Sequence, residues 1–279
     1  MTKVNLSPAV LGRLTRDSLF WLATVTPSAT PHLAPVWYIW HDERLYIFTG
    51  GIKLHNLQAN PAVSLALQDG MRPVILEGEA APVTSSRTFD GVAARYRARF
   101  AWDISAEVGP MQLIEVMPRK ILNWSGETQA EELPIPPPQA LASEKASPAL
   151  QRAKARLHRE HIIWLATVRP ERRPHLVPIW HVWHQDKLYI STGEHSVKMR
   201  NIRHQPQVML ALPSAMDVVL VQGVARPAPA LADELAPAFL RKFDWDFRND
   251  SEYGALVEIV PRKILTWQGD YRHAPSRAL

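Results

Sequence analysis

The sequence predicts two tandem copies of one mainly β, α+β domain, each built of six antiparallel strands with short helices, and three observations carry that prediction. A long segment recurs, every tryptophan belongs to a matched pair, and each half reads as short β-rich runs between turn formers. The segment WLATVTPSATPHLAPVWYIWHDERLYIFTG, beginning at Trp21, returns as WLATVRPERRPHLVPIWHVWHQDKLYISTG at Trp164, 143 positions on. All ten tryptophans pair at that spacing: Trp21 with Trp164, Trp37 with Trp180, Trp40 with Trp183, Trp102 with Trp245 and Trp124 with Trp267. Chance does not set ten tryptophans into five pairs at one spacing.

Taken in order, each copy opens with Ser-Pro before an amphipathic run, at Ser7-Pro8 and Ser147-Pro148, which reads as N-cap and first residue of a helix. Runs rich in Val, Ile, Leu, Tyr and Trp follow at about 20–26, 31–41, 44–49, 62–68, 73–83 and 111–124, and these read as strands. Lys53 to Asn60 reads as a short helix stopped by Pro61, and 85–100 as a longer one. Six strands with few helices predict a closed or nearly closed antiparallel barrel. The register between copies slips once. Lys53 matches Lys198, 145 positions on, so the second copy has a loop two residues longer; by Phe100 and Phe243 the spacing is 143 again, after a compensating deletion in the helical region.

The first domain is assigned to 1–130, a proline-rich linker (EELPIPPPQALASEKASP) to 131–148, and the second domain to 149–279. Two fused copies of one domain can pair as a homodimer does, so the expected arrangement is a pseudo-dimer within one chain, with further oligomerisation open.

Composition bounds the function. Of 279 residues, 46% are hydrophobic and 21% charged, as in globular proteins. No apolar run is long enough to span a membrane, and the first residues lack the apolar core of a signal peptide, so no membrane partner and a cytoplasmic location are expected. With no cysteine, thiolate nucleophiles, zinc ribbons and Cys-held clusters are excluded. The net charge of +5 is scattered rather than blocked, which suits a phosphate-bearing small molecule and argues against nucleic acid. The eleven histidines yield no predicted metal site. His181 and His184 fall on opposite faces of a strand. His158 and His161 could share a helix face but lack a carboxylate pattern, and the duplicated His32 and His175 read as structural. Dinucleotide fingerprints, Walker loops and hydrolase elbows do not occur, and no catalytic acid–base pair stands out.

The runs LYISTGEHSVKMRNIRHQPQVMLAL (Leu188 to Leu212) and LYIFTGGIKLHNLQANPAVSLAL (Leu45 to Leu67), with the endings Pro118 to Trp124 and Pro261 to Trp267 of the form P-R-K-I-L-x-W, carry a resemblance. They resemble the split-barrel flavin-binding family typified by pyridoxamine 5′-phosphate oxidase, which also includes deazaflavin F420-dependent reductases. The resemblance implies tandem split barrels with FMN, or alternatively F420, between them and its phosphate held by the lysine after the third strand. It places Thr192, Ser196, Lys198, Arg200, Asn201 and Trp180 at one cofactor site, and Thr49, Lys53, Asn56 and Trp37 at the other. The chemistry agrees: a phosphate calls for a cation, hydroxyl donors and backbone amides at a helix start. Two departures stand out. The second-strand arginine common in pyridoxamine phosphate oxidases has no counterpart, and Gly51 replaces the serine of Ser-x-Lys in the first copy.

The implied function is an oxidoreductase that exchanges a hydride between FMN or F420 and a small organic substrate, the cofactor supplying the chemistry. The competing reading is a split barrel that binds flavin or haem without turnover.

Overall fold

The computed structural model describes residues 6–124 and 147–269. The linker assigned to 131–148 lies outside the described residues except for Ser147 and Pro148. Ser147 caps the first helix of the second half, its Oγ accepting from the Leu150 N–H at 3.3 Å.

The first half runs α1 (Pro8–Arg16), β1 (Leu19–Val25), β2 (Pro31–Trp37), β3 (Ile39–His41), β4 (Arg44–Thr49), α2 (Gly51–Ala59), β5 (Ala62–Leu67), β6 (Val74–Pro82), α3 (Ser86–Phe100) and β7 (Gln112–Asn123). The second half repeats it as α4 (Pro148–Arg159), β8 (Ile162–Val168), β9 (Pro174–Trp180), β10 (Val182–His184), β11 (Lys187–Thr192), α5 (Val197–His204), β12 (Gln207–Ala211), β13 (Asp217–Pro227), α6 (Ala232–Phe243) and β14 (Ala255–Gln268). Each half folds its strands into one antiparallel, seven-stranded sheet, in the order β2-β1-β5-β6-β7-β4-β3 and the matching β9-β8-β12-β13-β14-β11-β10. The predicted count of six becomes seven because the run 31–41 breaks at Tyr38, and its counterpart breaks at His181. Tyr38 Oη donates to the Leu14 carbonyl at 2.9 Å, and His181 Nε2 lies 2.8 Å from the Leu157 carbonyl. Each ring thus ties the break to the preceding helix. Helix α4 ends at Arg159, so His161 does not share a helix face with His158.

The P-R-K ending has a structural reason. Gly78 pairs with Pro118 while Glu77 pairs with Lys120, leaving Arg119 as an extra residue in β7, and the same bulge recurs at Gly223 opposite Pro261. Proline has no amide to lose at such a bulge. A Cβ on Gly78 would sit 2.3 Å from the Met117 carbonyl oxygen, so the crossing strand requires glycine.

Each half has its own interior. Phe20, Leu22, Leu45 and Leu65 fill the first, and Ile163, Leu165, Leu188 and Leu210 the second. A further core lies between the halves, where Trp21, Ala66 and Ile75 of the first meet Trp164, Met209 and Leu220 of the second. Trp21 Nε1 donates to the Pro213 carbonyl at 3.0 Å, and Trp164 Nε1 to the Gln68 carbonyl at 3.3 Å, a reciprocal pair expected of a two-fold arrangement. A second reciprocal pair joins Asn60 to the Arg172 carbonyl and Gln205 to the Ala29 carbonyl. The halves therefore pack as a dimer would. No helix among the described residues is long and apolar enough to cross a membrane.

Candidate functional site

Between the halves lies a cleft of about 500 Å³. The second half supplies most of its wall: Trp180 at the end of β9, Ser191 on β11, Lys198 in the first turn of α5, and Phe243, Trp245 and Tyr253 in and after α6. The first half contributes Gly70, Met71 and Trp124. Its size and its mixture of aromatic walls with few polar groups match small-molecule and cofactor sites.

Lys198 is the cation of this cleft. It is half-buried, has no acidic partner among the described residues, and burial pushes its pKa below the ordinary lysine value. An unpaired, partly desolvated ammonium gains by meeting an anion. Its backbone setting comes from Ser196, which caps α5 by accepting from the Met199 N–H at 3.2 Å and lies 3.2 Å from Thr192 Oγ1. The flat wall is Trp180, stacked on Phe243 with ring centroids 4.7 Å apart and planes 2° from parallel, and held edge-on by Trp245 at 5.9 Å. Asp250 is the acid here. Its carboxylate accepts from the Tyr253 and Glu252 N–H groups, both at 2.8 Å, and from Trp245 Nε1 at 3.2 Å, which hold its pKa below the usual range.

Of the residues the sequence singled out, Lys198 and Trp180 line the cleft, and Thr192 and Ser196 support the loop before Lys198. Arg200 is exposed and outside the lining. Asn201 is turned into the barrel, where its Nδ2 donates to Thr167 Oγ1 at 2.9 Å; Asn56 does the same to Thr24 at 3.0 Å. Both asparagines anchor the helix to the barrel beneath it. The duplicated histidines lie nearby: His32 and His175 are buried on β2 and β9, opposite Thr24 and Thr167. Among the described residues no group of three His, Asp or Glu side chains could hold a metal ion.

The counterpart around Lys53 is packed shut. Phe48 stands where the second half has Ser191, and Met111 where it has Gly254. Phe48 packs edge-on against Trp102 at 5.4 Å, Trp37 stacks on Phe100 at 4.9 Å, and all four rings join the core between the halves together with Met111, Met216 and Trp267. The strands record the difference: β2 is buried throughout, whereas the last four residues of β9 are half-exposed. Gly50 and Gly51 open α2 in place of the serine cap, and Gly51 takes φ +62°, a conformation that favours glycine. Lys53 is half-buried, with its pKa also lowered by burial, and Thr49 Oγ1 is buried without a partner among the described residues.

Sequence reasoning missed Ser191, Trp245, Asp250, Tyr253 and the three first-half residues of the wall. The Phe48 and Ser191 difference was visible in the aligned repeats, but only the sheet geometry shows that this position faces the cleft.

Fold and cleft together define a tandem split-barrel protein with an open cleft at the seam of its two barrels. The family model "Pyridoxamine 5′-phosphate oxidase" matches residues 6–125 and again 149–268. The chain belongs to that family. Similar solved structures include HutZ, the haem-storage protein of Vibrio cholerae (18% identity, 43% of this chain and 95% of that one, TM-score 0.39). A putative pyridoxamine 5′-phosphate oxidase from Listeria innocua (17%, 41% and 94%, 0.37) and an F420 reductase (20%, 40% and 94%, 0.35) are similar as well. The search of curated proteins returns no match.

Proposed function

We propose that the chain binds FMN, or alternatively F420, in the cleft beside Lys198 and exchanges a hydride between it and a small organic substrate. The single observation that carries this reading is the pairing of an unpartnered, half-buried Lys198 with the stacked Trp180 wall in one open cleft. Lys198 holds the phosphate; Ser196 fixes the helix start from which it projects. Trp180, braced by Phe243 and Trp245, offers an apolar face to a tricyclic ring, and Met71 and Trp124 of the first half limit water on the other side. The bound cofactor supplies the redox chemistry, and the chain supplies position and exclusion of water. The domains proposed are 1–130 and 149–279, each contributing to this one site.

Asp250 is committed to three hydrogen bonds, so the reading assigns it loop-holding rather than proton transfer. The haem alternative finds no support among the described residues of the cleft wall, none of which is a histidine. The test is titration of the full chain with FMN and with F420, followed by cofactor fluorescence. Absence of binding tighter than about 100 μM, an affinity near 5.5 kcal/mol, by either cofactor rejects the reading. Binding with no change in the cofactor spectrum when reductants and candidate substrates are added rejects the enzymatic half of it.

A further inference from the structure

Behind the aromatic wall of the cleft lies a buried titratable pair that binding at Lys198 does not use. His181 follows Trp180 in the chain and Lys242 precedes Phe243, so each ring of the stacked wall has a buried, ionisable neighbour. Both neighbours reach the C-terminal end of α4. Lys242 Nζ donates to the Glu160 carbonyl at 2.6 Å, and His181 Nε2 lies 2.8 Å from the Leu157 carbonyl. A carbonyl oxygen only accepts, so the imidazole proton sits on Nε2. The buried Nδ1 has no partner among the described residues. A second proton would have to settle there, near an ammonium and without an acceptor.

The surroundings do little to offset such a charge. His158 of α4 and Arg241 of α6 bring further basic groups, and His161 packs edge-on against Phe243 at 5.6 Å. The Glu160 carboxylate is held by Arg156 at 2.6 Å, and Glu234 of α6 faces His184 of β10 at 3.8 Å. The repeat supplies the contrast. In the first half the same two positions are Tyr38 and Arg99. Tyr38 Oη donates to the Leu14 carbonyl at 2.9 Å, and Arg99 donates to the carbonyls of Thr15, Arg16 and Asp17 at 2.7, 2.7 and 2.8 Å. A phenol and a guanidinium hold their protons through the neutral range. Groups that change charge near neutrality thus stand behind the open cleft, and groups that do not stand behind the closed one.

We infer that His181 and Lys242 form a proton-operated latch behind the cleft: protons taken up by the pair unstack Phe243 from Trp180, and the cleft releases its ligand as the medium turns acid. As a control on ligand release this rests on the cofactor reading above, whereas the unstacking itself does not. Burial penalises only the charged form of each group. It holds His181 well below its ordinary 6.5, with Lys242 adding to the effect, and lowers Lys242 from 10.5 to about 7. An opened wall returns both groups to water, where they take up protons at their ordinary values. The closed wall therefore loses stability in two steps, through Lys242 as pH falls from 10.5 toward 7 and through His181 as it falls below 6.5.

The experiment follows fluorine NMR of the full-length chain labelled with 5-fluorotryptophan, without cofactor, from about pH 9 to about pH 5. Trp180→Phe and Trp37→Phe assign the two resonances by their loss. The expected result is a Trp180 resonance that shifts as pH falls, beside a Trp37 resonance that stays. The double variant His181→Tyr/Lys242→Arg carries the residues of the first half, and circular dichroism verifies its fold; it should hold Trp180 still. Lys242→Met, neutral and of similar length, should remove the step above pH 7 and keep the one below 6.5. A Trp180 resonance that stays in wild type, shifts equally in both variants or shifts together with Trp37 overturns the inference. FMN and F420 are then titrated at pH 8.5 and pH 5.5. The ratio of the two affinities should be at least about tenfold larger in wild type than in the double variant, a comparison that cancels the titration of the phosphate and of Lys198. Equal ratios overturn the inference while the cofactor reading stands. If Trp180 responds as expected and neither cofactor binds, the proton-driven unstacking stands and the cofactor reading falls.

Discussion

Phe48 and Ser191 occupy equivalent positions on β4 and β11, and one fills a space that the other leaves open. Phe48 is 9% exposed and packed against Trp102, while Ser191 Oγ donates to the Tyr253 carbonyl at 2.5 Å at the edge of the cleft. Ser191→Phe should therefore close the second cleft as Phe48 closes the first. The expected outcome is at least a hundredfold loss of FMN or F420 affinity, read by fluorescence titration, with circular dichroism unchanged.

The two lysines should differ in the same sense. A hydrogen bond to a charged group contributes about 1.5–3 kcal/mol, so Lys198→Ala should weaken cofactor binding tenfold to a hundredfold. Lys53→Ala, beneath a filled space, should change it less than threefold. Calorimetry on both variants checks the ranking, and an equal or larger loss from Lys53→Ala reverses it.

Acid should destabilise the fold through His32 and His175. Burial is the larger cause in both, with Lys53 beside His32 and Arg169, Lys198 and Lys120 beside His175, and their pKa values fall to about 4 and about 3. Both folded values lie below the ordinary 6.5, so in that window the unfolded chain binds more protons. The stabilisation is complete above pH 6.5 and is lost as pH falls toward 4, by about 3 kcal/mol for each histidine. Denaturant unfolding at pH 7, 5.5 and 4.5 should show the decline, and it should be shallower in His175→Gln. A bound anion near Lys198 offsets the positive field on His175, so saturating cofactor should also flatten the profile.

The reciprocal bonds of Trp21 and Trp164 predict that segments 1–130 and 147–279, produced separately, associate when mixed. Trp164→Phe removes the donor to Gln68 and, because the indole is fully buried, also leaves a cavity, so it should cost at least about 1 kcal/mol of unfolding free energy. Two soluble segments that stay monomeric in analytical ultracentrifugation contradict the pseudo-dimer.

Much of this molecule was legible before its fold was known, because the duplication supplied an internal alignment. The five tryptophan pairs fixed the repeat, and the Ser-Pro starts and β-rich runs located the elements within about two residues. The break at Tyr38 was not legible, since apolar residues continue across it and only the bond to Leu14 shows why the strand divides. The lysine loop was readable from residue types, as charge and hydroxyl spacing are local. Asn56 and Asn201 were placed at the cofactor by resemblance, whereas their buried bonds to Thr24 and Thr167 depend on how each helix lies across its barrel. The walls given by Gly70, Met71 and Trp124 arise from the packing of the halves, which no local pattern encodes.

The central claim is one open cofactor site per chain, held at Lys198 and closed at Lys53. Calorimetric titration of the full chain with its preferred cofactor measures this directly. The account predicts a stoichiometry of one cofactor per chain and loss of that binding event in Ser191→Phe. Two equivalent sites per chain, or a single site that persists in Ser191→Phe and disappears in Lys53→Ala, would contradict it.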